Sequence, residues 1–304
     1  MDLRQIRAFV AAYEMRSLTA GAAKINATQP GLSVQLAALE AELGAKLFER
    51  HARGLKPTFA GQRLYPMATK ILHDLNHAVG SIKTLNQNVT GAFSIGVPPT
   101  LSKAILAPVL TQFVDRYPDV EIRIVEAYSR ALLPLLANQD VDCAFVLHDP
   151  DYPEIEFTPV YTDRFVLVSG KKLGLEPGLP VALNQEPRLK LVIPSLRYGL
   201  HRLLEPLLKQ SRIVPERVLE IDGLSGTLKF LEESDWVGLL PFAAVHDDLD
   251  ADRLRVNRIA GEEIKIEYFV AKIATEYLIP AAQIFIDTAV EVLADIAGKY
   301  HPRT

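Results

Sequence analysis

The chain contains almost no cysteine. Cys143 is the single cysteine among its 304 residues, so disulfide frameworks and zinc sites built on cysteines are excluded. A redox switch that joins two thiols in a disulfide is excluded for the same reason. Apolar residues surround Cys143 at positions 141 and 144–146, and we expect it to lie in a buried strand as a small apolar side chain.

Long hydrophobic runs are also absent. No segment contains about 18 uninterrupted apolar residues, and the amino terminus lacks the apolar core of a signal peptide. Hydrophobic residues nevertheless make up 49% of the chain, with a mean hydropathy of +0.11, which is enough to fill sizeable cores. We therefore expect a cytoplasmic protein of about two or three domains, with no membrane partner.

Sequence motifs of catalysis and cofactor binding are missing. There is no P-loop and no dinucleotide-binding glycine pattern. Residues 223–226 read Gly-Leu-Ser-Gly, but a nucleophile elbow needs a residue between the serine and the second glycine. His73 and His77 are four residues apart, yet no third metal ligand accompanies them, which favours two solvated histidines. We expect no enzyme, no cofactor and no metal site.

What the chain does have is a very uneven distribution of charge. Residues 1–90 carry a net charge of +5 and residues 91–304 a net charge of −9, within a total of −4. Attraction to phosphates acts within a Debye length of about 8–10 Å. The basic segment can therefore attract nucleic acid although the whole chain is acidic.

Residues 17–50 predict a helix-turn-helix, with a preceding helix at about 2–14 that holds it in place. Ser17 or Thr19 can cap the first helix of the pair, and Thr28 can cap the second, with Pro30 in its first turn. In the second helix, leucines recur at spacings of four and three, which marks one face as core. The opposite face carries polar side chains that can reach base edges in a major groove, namely Gln29, Ser33 and Gln35.

Residues 51–58 predict a basic hairpin, the wing of a winged helix, with Arg50, Arg53 and Lys56 near DNA phosphates. Together with the helix-turn-helix, roughly the first 60 residues are similar to the DNA-binding domain of the LysR-type transcriptional regulators. The matching positions are Leu3, Phe9, Ser17, Ala22, Ala23, Gln29, Pro30, Ser33, Leu39, Glu40, Leu43, Gly44, Leu47, Phe48, Glu49, Arg50, Thr58 and Gly61. The residues expected to contact DNA are Thr28, Gln29, Pro30, Ser33, Val34, Gln35, Arg50 and Arg53.

Val34 departs from the family, because many members carry a basic residue at this position. A valine can touch a thymine methyl group but cannot make a bidentate contact to guanine. We expect specificity to rest more on Gln29, Pro30 and Ser33, and Val34→Arg to tighten DNA binding at low salt. An unchanged affinity across a salt series would count against this expectation.

A long helix is predicted from Thr58 to about residue 87, with Pro66 either bending it or lying in its first turn. Its apolar residues alternate at spacings of four and three, a seam that needs a partner helix. The seam comprises Leu64, Ala68, Ile71, Leu75, Ala78, Ile82 and Leu85. It predicts a homodimer, while the family resemblance implies a homotetramer, and the sequence leaves both open.

From residue 91 onward, strand-like and helix-like runs alternate, which predicts an α/β domain with a mainly parallel sheet. The resemblance implies two subdomains joined by two crossover strands, like a periplasmic binding protein. The expected fold is therefore an N-terminal winged helix-turn-helix (all-α with a small β wing), a long linker helix and an α/β effector domain. The expected bounds are 1–58 for the DNA-binding domain, 59–88 for the linker and 91–304 for the effector domain. Within the last, subdomain I covers about 91–161 and 268–304, and subdomain II about 162–267.

Ligands in such sheets bind beyond the carboxyl ends of strands, near helix amino termini that favour anions. Three predicted strand ends carry suitable side chains, namely Thr100, Ser102, Ser129, Arg197, Tyr198 and His201. For the hydroxyl groups, helix capping is the alternative role. The expected ligand is a small-molecule effector, for which an organic anion is one candidate.

The leading hypothesis is a ligand-responsive regulator that binds double-stranded DNA at a two-fold-related operator. Closure of the cleft on its effector would shift the placement of the DNA-reading dimers, and activation and repression both fit the residues. A solute-binding protein with an unrelated amino-terminal extension is the second hypothesis, and an enzyme is the third. The missing export signal and the basic winged helix argue against the second, and the missing motifs argue against the third.

Overall fold

A computed structural model describes residues 1–51, 54–83, 89–185, 188–195, 199–248, 253–261 and 263–300. Side chains at 50, 70, 73–74 and 76–83 are outside this description. The chain divides into two compact units, Met1–Asn86 and Gln87–Thr304. Among the described residues, no helix is both long and apolar enough to cross a membrane.

The first unit is a three-helix core with a two-stranded wing and a long final helix. Its elements are α1 (Leu3–Met15), α2 (Leu18–Lys24), α3 (Gln29–Leu43), β1 (Phe48–His51), β2 (Gly54–Pro57) and α4 (Phe59–Lys83). Ser17 caps α2, because its hydroxyl accepts from the backbone N–H of Ala20 at 3.3 Å. A Cβ on Gly21 would lie 3.2 Å from backbone atoms of α1, so a larger residue there would push the two helices apart.

In the long helix α4, two residues of the predicted dimer seam pack against the core of their own unit. Ala68 is fully buried in the core of the first unit, and Leu64 packs against the same core. Ala68 therefore needs no partner helix to bury it, whereas Leu64 is half-buried by its own unit. Ile71 is 39% exposed and Leu75 is half-buried, while the side chains of Ala78 and Ile82, and all of Leu85, lie outside the described residues.

Pro66 lies inside α4, beyond its first turn. Proline lacks the N–H that would bond to the preceding turn. The hydroxyl of Thr69 lies within hydrogen-bond distance of the carbonyl oxygens of Tyr65 and Pro66, at 3.0 and 2.9 Å, so its one hydrogen is directed at the backbone beside the proline.

The second unit alternates strands and helices as the sequence predicts. Its strands are β3 (Gly91–Val97), β4 (Val120–Glu126), β5 (Cys143–Val146), β6 (Ile155–Gly170), β7 (Lys190–Ile193), β8 (Arg217–Glu220), β9 (Val237–Pro241), β10 (Leu254–Asn257) and β11 (Lys265–Ile273). Its helices are α5 (Pro99–Arg116), α6 (Ser129–Ala137), α7 (Gly199–Lys209), α8 (Leu224–Glu233) and α9 (Pro280–Lys299). The expected place of Cys143 is confirmed, because it is buried in β5.

The strand order explains how two subdomains share one sheet. It runs β4–β3–β5–β11–β6–β9–β7–β8, with β10 also paired to β6. The strands β3, β4 and β5 are parallel to one another, and so are β7, β8 and β9. The long strands β6 and β11 pair antiparallel and connect the two groups. They are the two crossover strands that the family resemblance implies.

Candidate nucleic-acid interface and ligand cavity

The helix α3 presents most of the predicted DNA contacts on an open face. The hydroxyl of Thr28 caps it by accepting from the N–H of Gly31 at 3.2 Å. Gln29 and Pro30 are exposed in its first turn, and the Gln29 amide donates to the hydroxyl of Ser33 at 3.1 Å. Val34 is 65% exposed. This is the amino-terminal part of the helix, from which helix-turn-helix proteins read bases.

The predicted contacts are not equally accessible. Ser33 and Gln35 are half-buried, whereas Thr28 is exposed like the first turn of α3. Arg50 lies in β1 but its side chain is outside the description, and Arg53 lies outside the described residues. Their phosphate contacts therefore stay a prediction.

A half-buried carboxylate ties α3 to the wing. Glu40 accepts from the backbone N–H of Leu47 at 2.9 Å and from the Lys46 ammonium at 2.7 Å. Burial acts to raise the pKa of Glu40, but the hydrogen bonds from Lys46 and Leu47 outweigh it and lower the pKa. The charged form is thus the one that fits this position, and it holds the start of the wing against the reading helix.

The wing itself is fastened to α1. The N–H of Leu55 donates to the carbonyl of Arg16 at 2.8 Å. Gly54 has φ of +120°, and a Cβ there would lie 2.5 Å from the Arg16 carbonyl oxygen. Only glycine meets both conditions, since it tolerates this φ and has no Cβ.

The second unit contains a cavity of about 490 Å³ between its two subdomains. Its lining comes from the amino terminus of α6, the segment after β5, the first turns of α7 and one face of β11. The lining residues are Ser129, Arg130, Leu133, Leu147, His148, Asp149, Gly199, Arg202, Leu203, Lys265, Glu267 and Phe269. It lies at the carboxyl end of β5, where the strand-end rule predicts a ligand.

The charged side chains that line this cavity have a small positive excess. Arg130, Arg202 and Lys265 outnumber Asp149 and Glu267 in its lining. Arg202 pairs with Asp149 across the subdomain boundary at 3.5 Å. Two helix amino termini also face it, and α6 has no side-chain cap hydrogen bond at its start. Backbone N–H groups at such ends bind carboxylates and phosphates.

Ser129 lines the cavity as expected, but Thr100 and Ser102 do not. Thr100 is 2% exposed, and its hydroxyl is hydrogen-bonded to that of Tyr268 at 3.1 Å. The Tyr268 side chain is itself buried and packs nearly parallel to Tyr161. The space beside Thr100 is therefore filled by a residue of the crossover strand β11.

A buried acid accompanies these tyrosines. Asp163 is 2% exposed, and its carboxylate accepts from the N–H groups of Ala243 and Arg164 at 3.0 and 2.8 Å. Burial raises the pKa of Asp163 in spite of these bonds. Burial, followed by the charge of Asp163, also raises the pKa of Tyr161 and Tyr268. The hydroxyls beside Thr100 therefore stay protonated.

The predicted turn after β7 is only partly described. His201 is buried, not exposed, and its Nδ1 donates to the carbonyl of Pro194 at 3.1 Å. This bond joins the first turn of α7 to Pro194, and His201 is not among the residues that line the cavity. Arg197 and Tyr198 lie outside the described residues, so their effector contacts remain a prediction.

Most of the charged side chains in the lining were not predicted from the sequence. Arg130 and Arg202 directly follow two residues that were predicted to bind the effector, Ser129 and His201. His148 and Asp149 follow a predicted strand, so the same strand-end rule would have found them. Lys265, Glu267 and Phe269 alternate along β11 and share one face, but the sequence does not show which face meets the cavity.

Comparison with known proteins accounts for both units. Residues 3–62 match the model of the bacterial regulatory helix-turn-helix proteins of the lysR family. Residues 86–294 match the LysR substrate binding domain. Among the described residues, no group of histidine, cysteine and acidic side chains forms a metal site.

Similar proteins cover nearly the whole chain. The nitrogen assimilation regulatory protein nac of Escherichia coli is 25% identical over 295 residues, which is 97% of this chain and 96% of nac. An OxyR mutant from Corynebacterium glutamicum has a similar fold, with a TM-score of 0.71 at 24% identity, over 98% of this chain and 94% of that one. The effector-binding domain of QuiR, in complex with shikimate, has a TM-score of 0.56 at 17% identity over 68% of this chain and 98% of QuiR's. The chain belongs to the LysR family of DNA-binding transcriptional regulators, which are not enzymes.

Proposed function

We propose that this regulator senses a small organic anion in the cavity at the amino termini of α6 and α7. In this proposal residues 1–58 read DNA, residues 59–88 assemble the chain and residues 91–304 bind the effector, in the cytoplasm. The observation that carries it is the cavity of about 490 Å³ with its three cationic side chains and two helix starts. QuiR, a protein of similar fold, binds shikimate, which is a carboxylate.

A ligand in this cavity would lie beside contacts that join the two subdomains, so its binding could alter how they close on each other. Arg202 of α7 contacts Asp149, which follows β5 on the other side. The hydroxyl of Tyr128 also donates to the carbonyl of Asp222 at 2.7 Å, again across the boundary. A ligand that competes for Arg202 would favour a different closure of the subdomains, and so shift the population of conformations.

We further propose that α4 assembles two chains into at least a homodimer. Met67, Ile71 and Leu75 recur at a spacing of four on this helix, and the first two are 63% and 39% exposed. A stripe of this kind is buried by a second amphipathic helix. The proposed seam thus begins at Met67, since Leu64 and Ala68 pack within their own unit.

Footprinting on genomic fragments, with and without a panel of succinate, benzoate and shikimate, tests the proposal. We expect two protected half-sites separated by whole helical turns, with a protected length that changes when one of these acids is added. Protection of no site at any salt concentration would reject operator binding. A site that no acid alters would reject the anion panel and leave operator binding intact.

A pair of lysine variants tests the cavity itself. Lys265→Met removes a cavity cation, whereas Lys209→Met removes one at the far end of α7, outside the cavity. A charge-assisted contact contributes about 1.5–3 kcal/mol, so we expect Lys265→Met to weaken anion binding by about tenfold or more. Calorimetric titration with the acid active in footprinting measures it. Equal losses in the two variants would mean that general charge, and not the cavity, attracts the anion.

A further inference from the structure

The exposed face of the reading helix carries an apolar stripe beside the polar side chains of its first turn. Along α3, Val34 is exposed in the middle of a stripe that begins at Pro30 and continues through Ala37, Ala38 and Ala41. At 65%, Val34 has one of the larger exposed fractions among the big apolar side chains described. The buried face holds Leu32, Leu36 and Leu39, so apolar side chains lie on both sides of the helix.

Charged side chains are missing from the same helix where it would enter the groove. No residue from 25 to 39 is charged. The usual specific contact to guanine is made by arginine or lysine, which donate to O6 and N7. The helix cannot make this contact from its first three turns. What it can offer are amides, hydroxyls and methyl groups.

The polar side chains are themselves partly committed. Thr28 spends its hydroxyl on capping, and Gln29 and Ser33 are bonded to each other. Val34 has no such engagement, and a methyl-bearing side chain at an open groove position has one complementary partner on B-DNA. That partner is the C5-methyl group of thymine, which only A·T pairs present in the major groove.

We infer that Val34 adds to the specificity expected of Gln29, Pro30 and Ser33 by reading a thymine methyl group in each half-site of the operator. The inference rests on the assigned DNA binding and adds the base that is read. A basic side chain at this point of the groove could recognise guanine, whereas valine offers only methyl groups, which fit the methyl group of thymine.

Selection from a random pool of DNA duplexes with the full-length protein provides the site. We expect wild-type protein to enrich half-sites with a fixed thymine, and Val34→Arg to enrich guanine at that position. Replacing this thymine by deoxyuridine then removes the methyl group and nothing else. Burial of one methyl group contributes about 0.8 kcal/mol, so the wild-type protein should bind about fourfold more weakly for each substituted half-site.

The double-mutant comparison isolates the contact. In Val34→Ala, replacing thymine by deoxyuridine should change the affinity less than twofold, by about the scatter expected of uncoupled groups. Val114→Ala is the matched control, because Val114 is a valine of the second unit with 48% exposure. It should keep the fourfold effect of the wild type.

The outcomes distinguish a failure of the thymine contact from a failure of operator binding. Equal affinity of wild-type protein for thymine and deoxyuridine sites would overturn the inference and leave operator binding intact. A full methyl effect in Val34→Ala would overturn it too, because another side chain would then make the contact. Failure of wild-type protein to enrich any sequence would overturn operator binding itself.

Discussion

Thr100 and Ser129 occupy equivalent positions in the second unit, yet the structure gives them different surroundings. Each follows a strand of the same parallel group and lies at the start of a helix. Thr100 is buried against Tyr268, whereas Ser129 lines an open cavity while it accepts from the N–H of Leu147 at 2.9 Å. The ends of the strands therefore locate the cleft. A side chain distant in sequence determines whether the space beside each strand end is filled or open.

The side chain that decides is Tyr268, and its neighbours on β11 show how. Lys265, Glu267 and Phe269 point to the cavity, and Tyr268 between the last two points to the opposite face. It brings a phenol to Thr100 on that face. One strand thus supplies the cavity with charge and closes the equivalent position on its other side.

The largest expected effect comes from Tyr268→Ala. Tyr268 is 1% exposed and among the largest fully buried side chains. Truncating a buried aromatic residue costs about 3–5 kcal/mol, and here it would also open the space beside Thr100. Urea unfolding followed by the fluorescence of Trp236, the single tryptophan, reports on this unit. A loss below about 1 kcal/mol would show that Tyr268 does not hold the Thr100 side closed.

Ser129→Ala should have the next largest effect on stability. It removes the acceptor of the part-buried Leu147 N–H, and leaving a donor of this kind unpaired costs at most about 1–3 kcal/mol. The same variant should also weaken binding of the active anion in calorimetric titration. Thr100→Ala is the comparison. If Thr100→Ala lowers the affinity for the anion as much as Ser129→Ala does, the two sides of the cleft do not differ as we describe.

A smaller effect tests the hydrogen bond between Thr100 and Tyr268. Tyr268→Phe and Thr100→Val each remove one hydroxyl with little change of shape, at about 1 kcal/mol. Because both lose the same bond, the double variant should cost less than the sum of the single variants. Unfolding free energies from urea titration measure the three values. Strict additivity would mean that each hydroxyl has another partner.

Much of this fold is predictable from local pattern. The cap at Ser17, the wing and the alternating elements of the second unit all follow from residue types and spacing. The first half of β6 does not, because Pro159 lies within it and proline argues against a strand. The register of β6 with β11 shifts beside this proline, between Tyr268 and Phe269, and a bulge tolerates it.

The cavity is less predictable than the fold, for a physical reason. Helix and strand positions depend on near neighbours in sequence, and so do caps such as Thr28. Lys265 and Ser129 line the same cavity only because the register of the crossover strands brings them together. The same holds for Ala68, whose burial depends on how α4 packs against the helices of the first unit, and not on the repeat along α4.

The smallest expected effect concerns the pH dependence of the Thr100 side, where burial raises the pKa of Asp163. The folded state thus holds the Asp163 proton more tightly than the unfolded state, whose aspartates titrate near about 3.9. The stability that protonation adds is present below that pH and is lost as pH rises through the folded pKa. Asp163→Asn, which does not titrate, should therefore gain stability relative to wild type as pH rises from about 4.

Asp247→Asn is the control for this prediction, because its change should run the other way. Burial acts to raise the pKa of Asp247 as well, but the hydrogen bond and charge of Lys103 outweigh it and lower the pKa. As pH rises, the free energy of unfolding of wild-type protein should increase relative to that of Asp247→Asn. Solvent screening reduces the difference, since the Asp247 side chain is 52% exposed. Urea midpoints measured across this range for both variants give the two slopes. Slopes of the same sign would mean that burial does not set the titration of Asp163.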